Sequence, residues 1–169
     1  MNIYVDSDGT VEWNGNSVPC AIGASGMTAD KREGDQATPT GCFLLRRVYY
    51  RPDRVLRPET LLPVNPLEPR DAWSDEPDDP GYNSLVRQPY PTGFEIMWRD
   101  DHLYDIVVTL GYNDNPAVPG KGSAVFLHLA RPDFSPTRGC VAVSQENLLR
   151  ILKDCDETTR ICIGSRDKN

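Results

Sequence analysis

The chain has 169 residues, of which 38% are hydrophobic and 25% charged, and this composition is typical of one globular domain with a sizeable core. A formal net charge of −7 disfavours a general nucleic-acid binder, because such proteins need a basic face. No apolar run approaches the ~18 residues of a membrane span. We therefore expect a single domain over residues 1–169 that binds no nucleic acid and spans no membrane.

The first 22 residues predict a β-meander, because apolar and polar residues alternate between two tight-turn dipeptides, Asp8-Gly9 and Asn14-Gly15. This N-terminal stretch has neither the basic region nor the apolar region of a signal peptide. We expect either a cytoplasmic protein or one whose export signal is absent from this chain.

Further strands are predicted along the rest of the chain, at 42–51, 94–99, 103–112, 123–130, 140–144 and 159–164. One helix is predicted after Ser144, which is a good N-cap. Its apolar positions share one face, and they are Leu148, Ile151, Leu152 and Cys155. The chain is therefore mainly β, without the alternation of a βαβ fold.

Residues 51–92 form a proline-rich segment that contains nine of the fifteen prolines of the chain. Each proline lacks an N–H donor, so this segment cannot complete the ladder of a central strand. Long loops inside a compact domain are usually functional or disordered, and the aromatic residues here argue against disorder. We interpret the segment as a lid insertion over a site, with an insertion that has no role in binding as the alternative.

Several polar and aromatic residues in and after this segment are candidates for binding a zwitterionic peptide or a glycan. They are Trp73, Tyr82, Asn83, Trp98 and Arg99. Packing within the domain explains the same residues equally well. Asn113, in the polar loop 111–123, is a further candidate, although such residues more often make turns.

The five cysteines include no CxxC pair, so we expect no zinc site and no other metal or cofactor. Four of them are interpreted as small buried apolar residues: Cys20, Cys42, Cys155 and Cys162. Cys140 differs, because it follows a glycine and lies twelve positions after His128, one of only two histidines. The other, His102, lies among acidic residues at a predicted turn and is interpreted as exposed.

A cysteine attacks as its thiolate, which an ordinary thiol rarely forms at neutral pH. His128 on one predicted strand and Cys140 at the start of the next can meet if the strands pair, and the imidazole then serves as the base. Gly139 would let a substrate carbonyl approach closely, and backbone N–H groups of the Arg138–Cys140 turn can form an oxyanion hole. A core cysteine and a core histidine are the plain alternative.

Three elements in this order resemble the L,D-transpeptidase catalytic domain, or YkuD, family. They are Thr38-Pro39-Thr40-Gly41 with Phe43, then His128, then Thr137-Arg138-Gly139-Cys140. The resemblance covers most of residues 1–165. It implies a YkuD-like β-sandwich of mixed sheets with one helix following the nucleophile, and the 51–92 lid is its least general part.

The resemblance also implies the chemistry. The family's cysteine takes an acyl group from a diaminopimelate-containing peptidoglycan stem peptide across an L–D peptide bond, and carbapenems acylate the same residue. Transfer to an amine makes a cross-link, whereas transfer to water is carboxypeptidase or endopeptidase activity. For this chain it implies Cys140 as nucleophile, His128 as base, Thr137 and Arg138 near the substrate, and a periplasmic or wall-associated location. We also expect a monomer.

Two positions depart from the pattern of many family members. Arg138 stands where many have histidine, and Ala142 stands where many have arginine or asparagine. Both concern how the substrate carboxylate is held and which acceptor is used. Three other functions stay open: a hydrolase with the same site, a catalytically silent wall-binding module, and a cytosolic thiol enzyme acting on another peptide, which the missing signal favours.

Overall fold

The computed structural model describes residues 1–164, of which one segment is helical and most of the rest is strand or turn. Strands make up 36% of the chain. They are β1 (Asn2–Asp6), β2 (Thr10–Trp13), β3 (Asn16–Pro19), β4 (Met27–Thr28), β5 (Thr38–Pro39), β6 (Gly41–Tyr50), β7 (Val64–Pro66), β8 (Asp71–Ser74), β9 (Leu85–Arg87), β10 (Phe94–Ile96), β11 (Ile106–Leu110), β12 (Phe126–Leu129), β13 (Val141–Val143) and β14 (Arg160–Ile163). The helix α1 spans Gln145–Lys153. The prediction of a mainly β chain with mixed sheets is confirmed.

Nine strands form one sheet in the order β13-β12-β11-β6-β14-β1-β2-β3, with β7 paired to β6 off this path. The ten-residue β6 joins two halves, because its first residues pair with β14 and its later residues pair with β11. Beyond β3, Ala21 exchanges two backbone hydrogen bonds of 2.8 and 2.9 Å with Ala142 of β13. The two ends of the sheet therefore meet, and the sheet curls round a core.

The predicted meander is present as β1, β2 and β3, which pair antiparallel in sequence order. Gly9, Asn14 and Gly15 at its turns have φ values of 83°, 45° and 79°, which is the positive-φ backbone that such turns require.

The main core fills the inner face of the sheet and includes Ile3, Val5, Leu45, Val108, Leu127, Val141 and Ile161. Helix α1 covers it with Leu148, Ile151 and Leu152, and Ser144 caps the helix by accepting a 3.2 Å hydrogen bond from the Asn147 N–H. A second cluster lies on the other face and consists of Leu67, Met97, Tyr104, Val107, Phe126 and Cys140. The nucleophile candidate is therefore on the face that α1 does not cover.

Segment 51–92 is built into the fold. It contributes β7, which pairs with β6, and β8, the middle strand of a three-stranded sheet β10-β8-β9. Its Leu62, Leu67 and Ala72 are buried. The expectation that this segment supplies no central strand was wrong, because β8 lies between β10 and β9 and contains no proline. The strands of the segment are short, with three or four residues each.

The interpretation of Cys42 and Cys162 as buried apolar residues was wrong, because they form a disulfide and Cys42 is exposed. The two are register partners on β6 and β14 and lie 120 positions apart in sequence. Cys20 and Cys155 are free and buried, as predicted.

His102 is an exposed turn residue, as predicted, and its ring nitrogen Nδ1 lies 2.7 Å from Asp105. Among residues 1–164, no helix is long and apolar enough to cross a membrane. The same residues contain no cluster of three or more metal-ligating side chains.

Candidate active site

The pairing of β12 with β13 brings His128 and Cys140 together. These strands run parallel, with Leu127 opposite Val141 and His128 opposite Ala142, so Cys140 at the entry to β13 follows on opposite Phe126. Alternate side chains share a face, and His128 and Cys140 therefore project from the same face. Strands ~4.8 Å apart with a rise of ~3.3 Å per residue place their Cα atoms about 8 Å apart, which is within reach of an imidazole and a thiol.

Both side chains line one cleft of about 620 Å³. Three further candidates from the sequence line it as well, Arg99, Thr137 and Arg138. Arg138 is exposed, whereas Cys140 and His128 are buried at 8% and 5% exposure. The cleft thus has the candidate nucleophile and base buried in its floor and an exposed guanidinium, that of Arg138, at its edge.

His128 is held in one tautomer. Its Nδ1 lies 2.9 Å from the Leu129 carbonyl oxygen, which can only accept a hydrogen bond, so Nδ1 carries the proton. Nε2 is then the basic nitrogen. Burial lowers the pKa of His128 to about 4, so the imidazole is neutral at pH 7. The Tyr104 ring packs edge-on against it at 5.3 Å and keeps its orientation.

Cys140 is a neutral thiol in this state. Its Sγ donates to the Ala124 carbonyl at 3.2 Å and accepts from the Phe126 N–H at 3.4 Å. Burial, with the negative charge of Glu95 adding to it, raises the pKa of the Cys140 thiol to about 12. A neutral thiol and a neutral imidazole in one cleft are chemically suited to general-base catalysis, in which a thiolate forms only as a substrate is attacked.

Gly139 has a φ of 136°, and a Cβ on it would lie 2.8 Å from the Ala37 carbonyl oxygen. The backbone conformation and the chain just before Thr38 therefore both require glycine at position 139. Thr137 fixes the same turn, because its hydroxyl donates to the Cys140 carbonyl at 2.7 Å and accepts from the Gly139 N–H at 3.1 Å. Since the Gly139 N–H is engaged, the Cys140 N–H is the candidate oxyanion donor.

The sequence model of the L,D-transpeptidase catalytic domain, YkuD, matches residues 1–163. The chain belongs to this family. A solved L,D-transpeptidase from Mycobacterium smegmatis is similar at 16% identity and a TM-score of 0.40, over 97% of this chain and 58% of that one. The chain thus spans less than two thirds of that structure. No curated protein sequence matches it.

Five candidate binding residues of this YkuD domain do not line the cleft. Trp98 packs under Arg51, whose guanidinium carbon lies 3.7 Å from the ring centre. Trp73 donates to the Asn83 side-chain oxygen at 2.9 Å and packs against Phe126. Both tryptophans pack within the domain, which is the alternative to substrate binding that the sequence analysis named.

The other three hold loops together. The Asn83 amide donates to the carbonyls of Tyr112 and Asn113 at 3.1 and 2.8 Å. The Asn113 side chain closes its own loop by accepting from the Val118 N–H at 2.7 Å. The Tyr82 hydroxyl donates to Glu33 at 2.7 Å, and both Tyr82 and Asn83 border a separate cleft of about 590 Å³.

Sequence reasoning missed several residues of the YkuD cleft, among them Lys31, Glu33 and Tyr104. Tyr104 is buried and donates to Glu95 at 2.7 Å. Lys31 and Glu33 come from the polar loop before Thr38, and that loop carries no periodic pattern. Its position directly before the Thr38–Gly41 motif was the only available signal.

Proposed function

We propose that this YkuD domain is a cysteine acyltransferase, an L,D-transpeptidase that cross-links peptidoglycan stem peptides through a thioacyl-enzyme. The observation that carries the proposal is the placement of Cys140 and His128 on one face of paired strands and in one cleft. The family acts on peptidoglycan peptides, which supports the substrate class.

The first half of the reaction loads the enzyme. His128 Nε2 takes the proton of the Cys140 thiol as sulfur bonds to the carbonyl carbon of the donor peptide, and the carbonyl π electrons move to oxygen. The oxyanion accepts a hydrogen bond from the Cys140 N–H. Its collapse breaks the C–N bond, the imidazolium gives its proton to the leaving amine, and a thioester on Cys140 remains.

The second half transfers the acyl group. The acceptor amine adds to the thioester carbonyl while His128 takes its proton, and collapse of the intermediate breaks the C–S bond. The sulfur then recovers the proton from the imidazolium. With water in place of the amine the same steps hydrolyse the peptide, so product analysis separates the transpeptidase from the carboxypeptidase or endopeptidase.

The charges of the cleft suit a zwitterionic peptide, because it is lined by both signs. Arg131 and Arg138 are exposed cations at the cleft, and Glu33, Asp75 and Glu95 are half-buried carboxylates within it. Burial, followed by the charge of Glu33, raises the pKa of Asp75, as expected for neighbouring carboxylates. We propose that Arg138 pairs with a substrate carboxylate.

We also propose that segment 51–92 excludes water from the thioester and so favours amine acceptors. Asp75 is its one residue that lines the cleft within the described chain, and β10 beside it adds Phe94 and Glu95. The segment acts as a fixed wall in this proposal, because its buried leucines tie it to the core.

For location, we propose a periplasmic or wall-associated monomer. The family is typically associated with the cell wall. The Cys42–Cys162 disulfide adds support, since disulfides persist in oxidising compartments and are rare in the cytosol.

The decisive experiment incubates the protein with purified diaminopimelate-containing stem peptides, with and without an acceptor amine, and analyses protein and products by mass spectrometry. We expect a thioacyl adduct on Cys140 and a cross-linked product that requires the acceptor, both absent with Cys140→Ala. An adduct that yields only hydrolysed peptide would make the protein a hydrolase. Absence of any adduct on Cys140 would reject acyl transfer altogether.

A further inference from the structure

Lys31 lies buried beside the nucleophile, and the reaction described above does not use it. Its side chain is 6% exposed and lines the same cleft as Cys140 and His128. Burying an ammonium group is unfavourable unless it is paired, so a fold that does so has a specific arrangement around it.

Two glycines make the space for this side chain. A Cβ on Gly122 would lie 3.0 Å from Lys31 Cγ and 3.2 Å from Cε. A Cβ on Gly139 would lie 3.4 Å from Lys31 Nζ, so the ammonium nitrogen is within about 5 Å of the Gly139 Cα. Gly122 accommodates the stem and Gly139 the charged head, which stands against the turn that presents Cys140.

The Lys31 ammonium group uses two of its three N–H donors within the described residues. Nζ donates to Asp35 Oδ1 at 2.5 Å and to the Arg32 carbonyl at 3.2 Å. An ammonium has three N–H groups, and the third has no partner among residues 1–164. The Asp35 carboxylate in turn accepts hydrogen bonds from the backbone N–H groups of Arg32 and Ala37 at 2.8 and 2.9 Å. Residues of its own loop therefore hold the Lys31 ammonium group in place.

We propose that Lys31 is a further catalytic residue, whose ammonium donates its third N–H to the oxyanion that forms when Cys140 attacks the substrate carbonyl. The proposal rests on the acyl transfer described above. It explains how the oxyanion is held by two donors, although the Gly139 N–H is engaged by Thr137. Lys31 transfers no proton in this proposal, and its role is electrostatic.

Two probes separate this role from a general effect on the thiolate. A carbapenem acylates a thiol by addition to its strained carbonyl, and an oxyanion forms. Iodoacetamide alkylates a thiol by direct displacement of iodide, and no oxyanion forms. A group that acts on the oxyanion affects only the first reaction, whereas a group that acts on the thiolate or on the fold affects both.

The experiment measures both rates at Cys140 for the full chain by mass spectrometry at one pH near 8. The variants are Lys31→Met, Lys31→Gln and Lys31→Arg, and the matched control is Lys121→Met, an exposed lysine paired loosely with Asp30 at 3.5 Å. We expect Lys31→Met and Lys31→Gln to lower carbapenem acylation by about 10²–10³-fold. Alkylation should change by less than about threefold, because no oxyanion forms in it. Lys31→Arg should retain part of the acylation rate, and Lys121→Met all of it.

Equal losses in both reactions, or no loss in either, would overturn the assignment of Lys31. Unchanged alkylation also reports an intact pocket, and Lys31→Gln gives a second reading if Lys31→Met unfolds. If the wild-type protein is not acylated at all, the proposed acyl transfer fails. If the wild type and Lys31→Met are acylated at the same rate, only the role of Lys31 fails.

Discussion

Cys140 lies two positions before Ala142, the register partner of His128, so the two side chains share one face of two parallel strands. Both are buried and line one cleft. Substituting the proposed base, His128, while keeping the proposed nucleophile, Cys140, therefore tests the proposed roles directly. We expect His128→Gln to slow carbapenem acylation of Cys140 by about 10²–10⁴-fold, the usual contribution of a general base. His102→Gln is the control, because that histidine is exposed and should leave the rate unchanged. Equal effects of the two substitutions would argue against His128 as the base.

The rate of Cys140 acylation should fall only at low pH, as His128 becomes protonated. Burial lowers the pKa of His128 to about 4 and raises the pKa of Cys140 to about 12. A group with a depressed pKa stays deprotonated to lower pH, so His128 remains a base until the pH falls through about 4. We expect an acylation rate that is constant from about pH 6 to pH 9 and falls near pH 4, measured by mass spectrometry of samples quenched at set times.

In His128→Gln only the thiolate reacts, and the acylation rate should rise about tenfold per pH unit. A wild-type acylation rate that falls around the ordinary histidine pKa would contradict the buried neutral pair.

Gly139 should be far less tolerant of a side chain than another glycine with positive φ. Its φ is 136° and an added Cβ would meet the Ala37 carbonyl at 2.8 Å, whereas Gly26 has a φ of 76° and open space around it. Gly26→Ala should cost about 1 kcal/mol of unfolding free energy from the backbone alone. Gly139→Ala should cost more than about 3 kcal/mol, since the clash adds to the backbone strain. Urea denaturation measures both, and equal losses would mean that the Ala37 contact is readily relieved.

The Cys42–Cys162 disulfide should stabilise the domain without taking part in the reaction, because neither cysteine lines the cleft. Alkylation of denatured, unreduced protein should label three thiols, those of Cys20, Cys140 and Cys155. The double substitution of Cys42 and Cys162 by Ser should lower stability by about 2–4 kcal/mol and leave acylation unchanged. Labelling of all five cysteines before reduction would show that the bond is absent from the purified protein.

The wall formed by segment 51–92 should control the fate of the thioester. Deleting the segment would remove core residues such as Leu67, so a single substitution is the cleaner test. We expect Asp75→Ala, at the cleft, to raise the ratio of hydrolysed to cross-linked product by admitting water. Glu59→Ala, whose side chain is 82% exposed, is the control from the same segment. An unchanged product ratio in Asp75→Ala would count against the role in excluding water.

Local patterns were enough to predict the turns of the meander, the capped helix and the strands β1 to β3, β6 and β10 to β14. The short strands β4, β5, β7, β8 and β9 were not predicted. Each predicted element depends on neighbours in sequence: alternation along β1 and β2, positive-φ residues such as Gly15, and the Ser144 hydroxyl over its own helix. The family followed from three short motifs in order, and the match over residues 1–163 confirms it. The choice of His128 and Cys140 as a pair rests on the same motifs.

The sequence by itself determined the family, the candidate residues for the chemistry and the kind of elements that carry them, because periodicity, capping and motif order depend on positions close in sequence. Only the tertiary structure decided the neighbours of those residues. In the fold, Cys42 and Cys162 form a disulfide, and Lys31 lies against Gly122 and Gly139. Trp73 and Trp98 pack against other side chains of the domain. These contacts depend on strand register and loop placement between distant parts of the chain, and no local pattern encodes them.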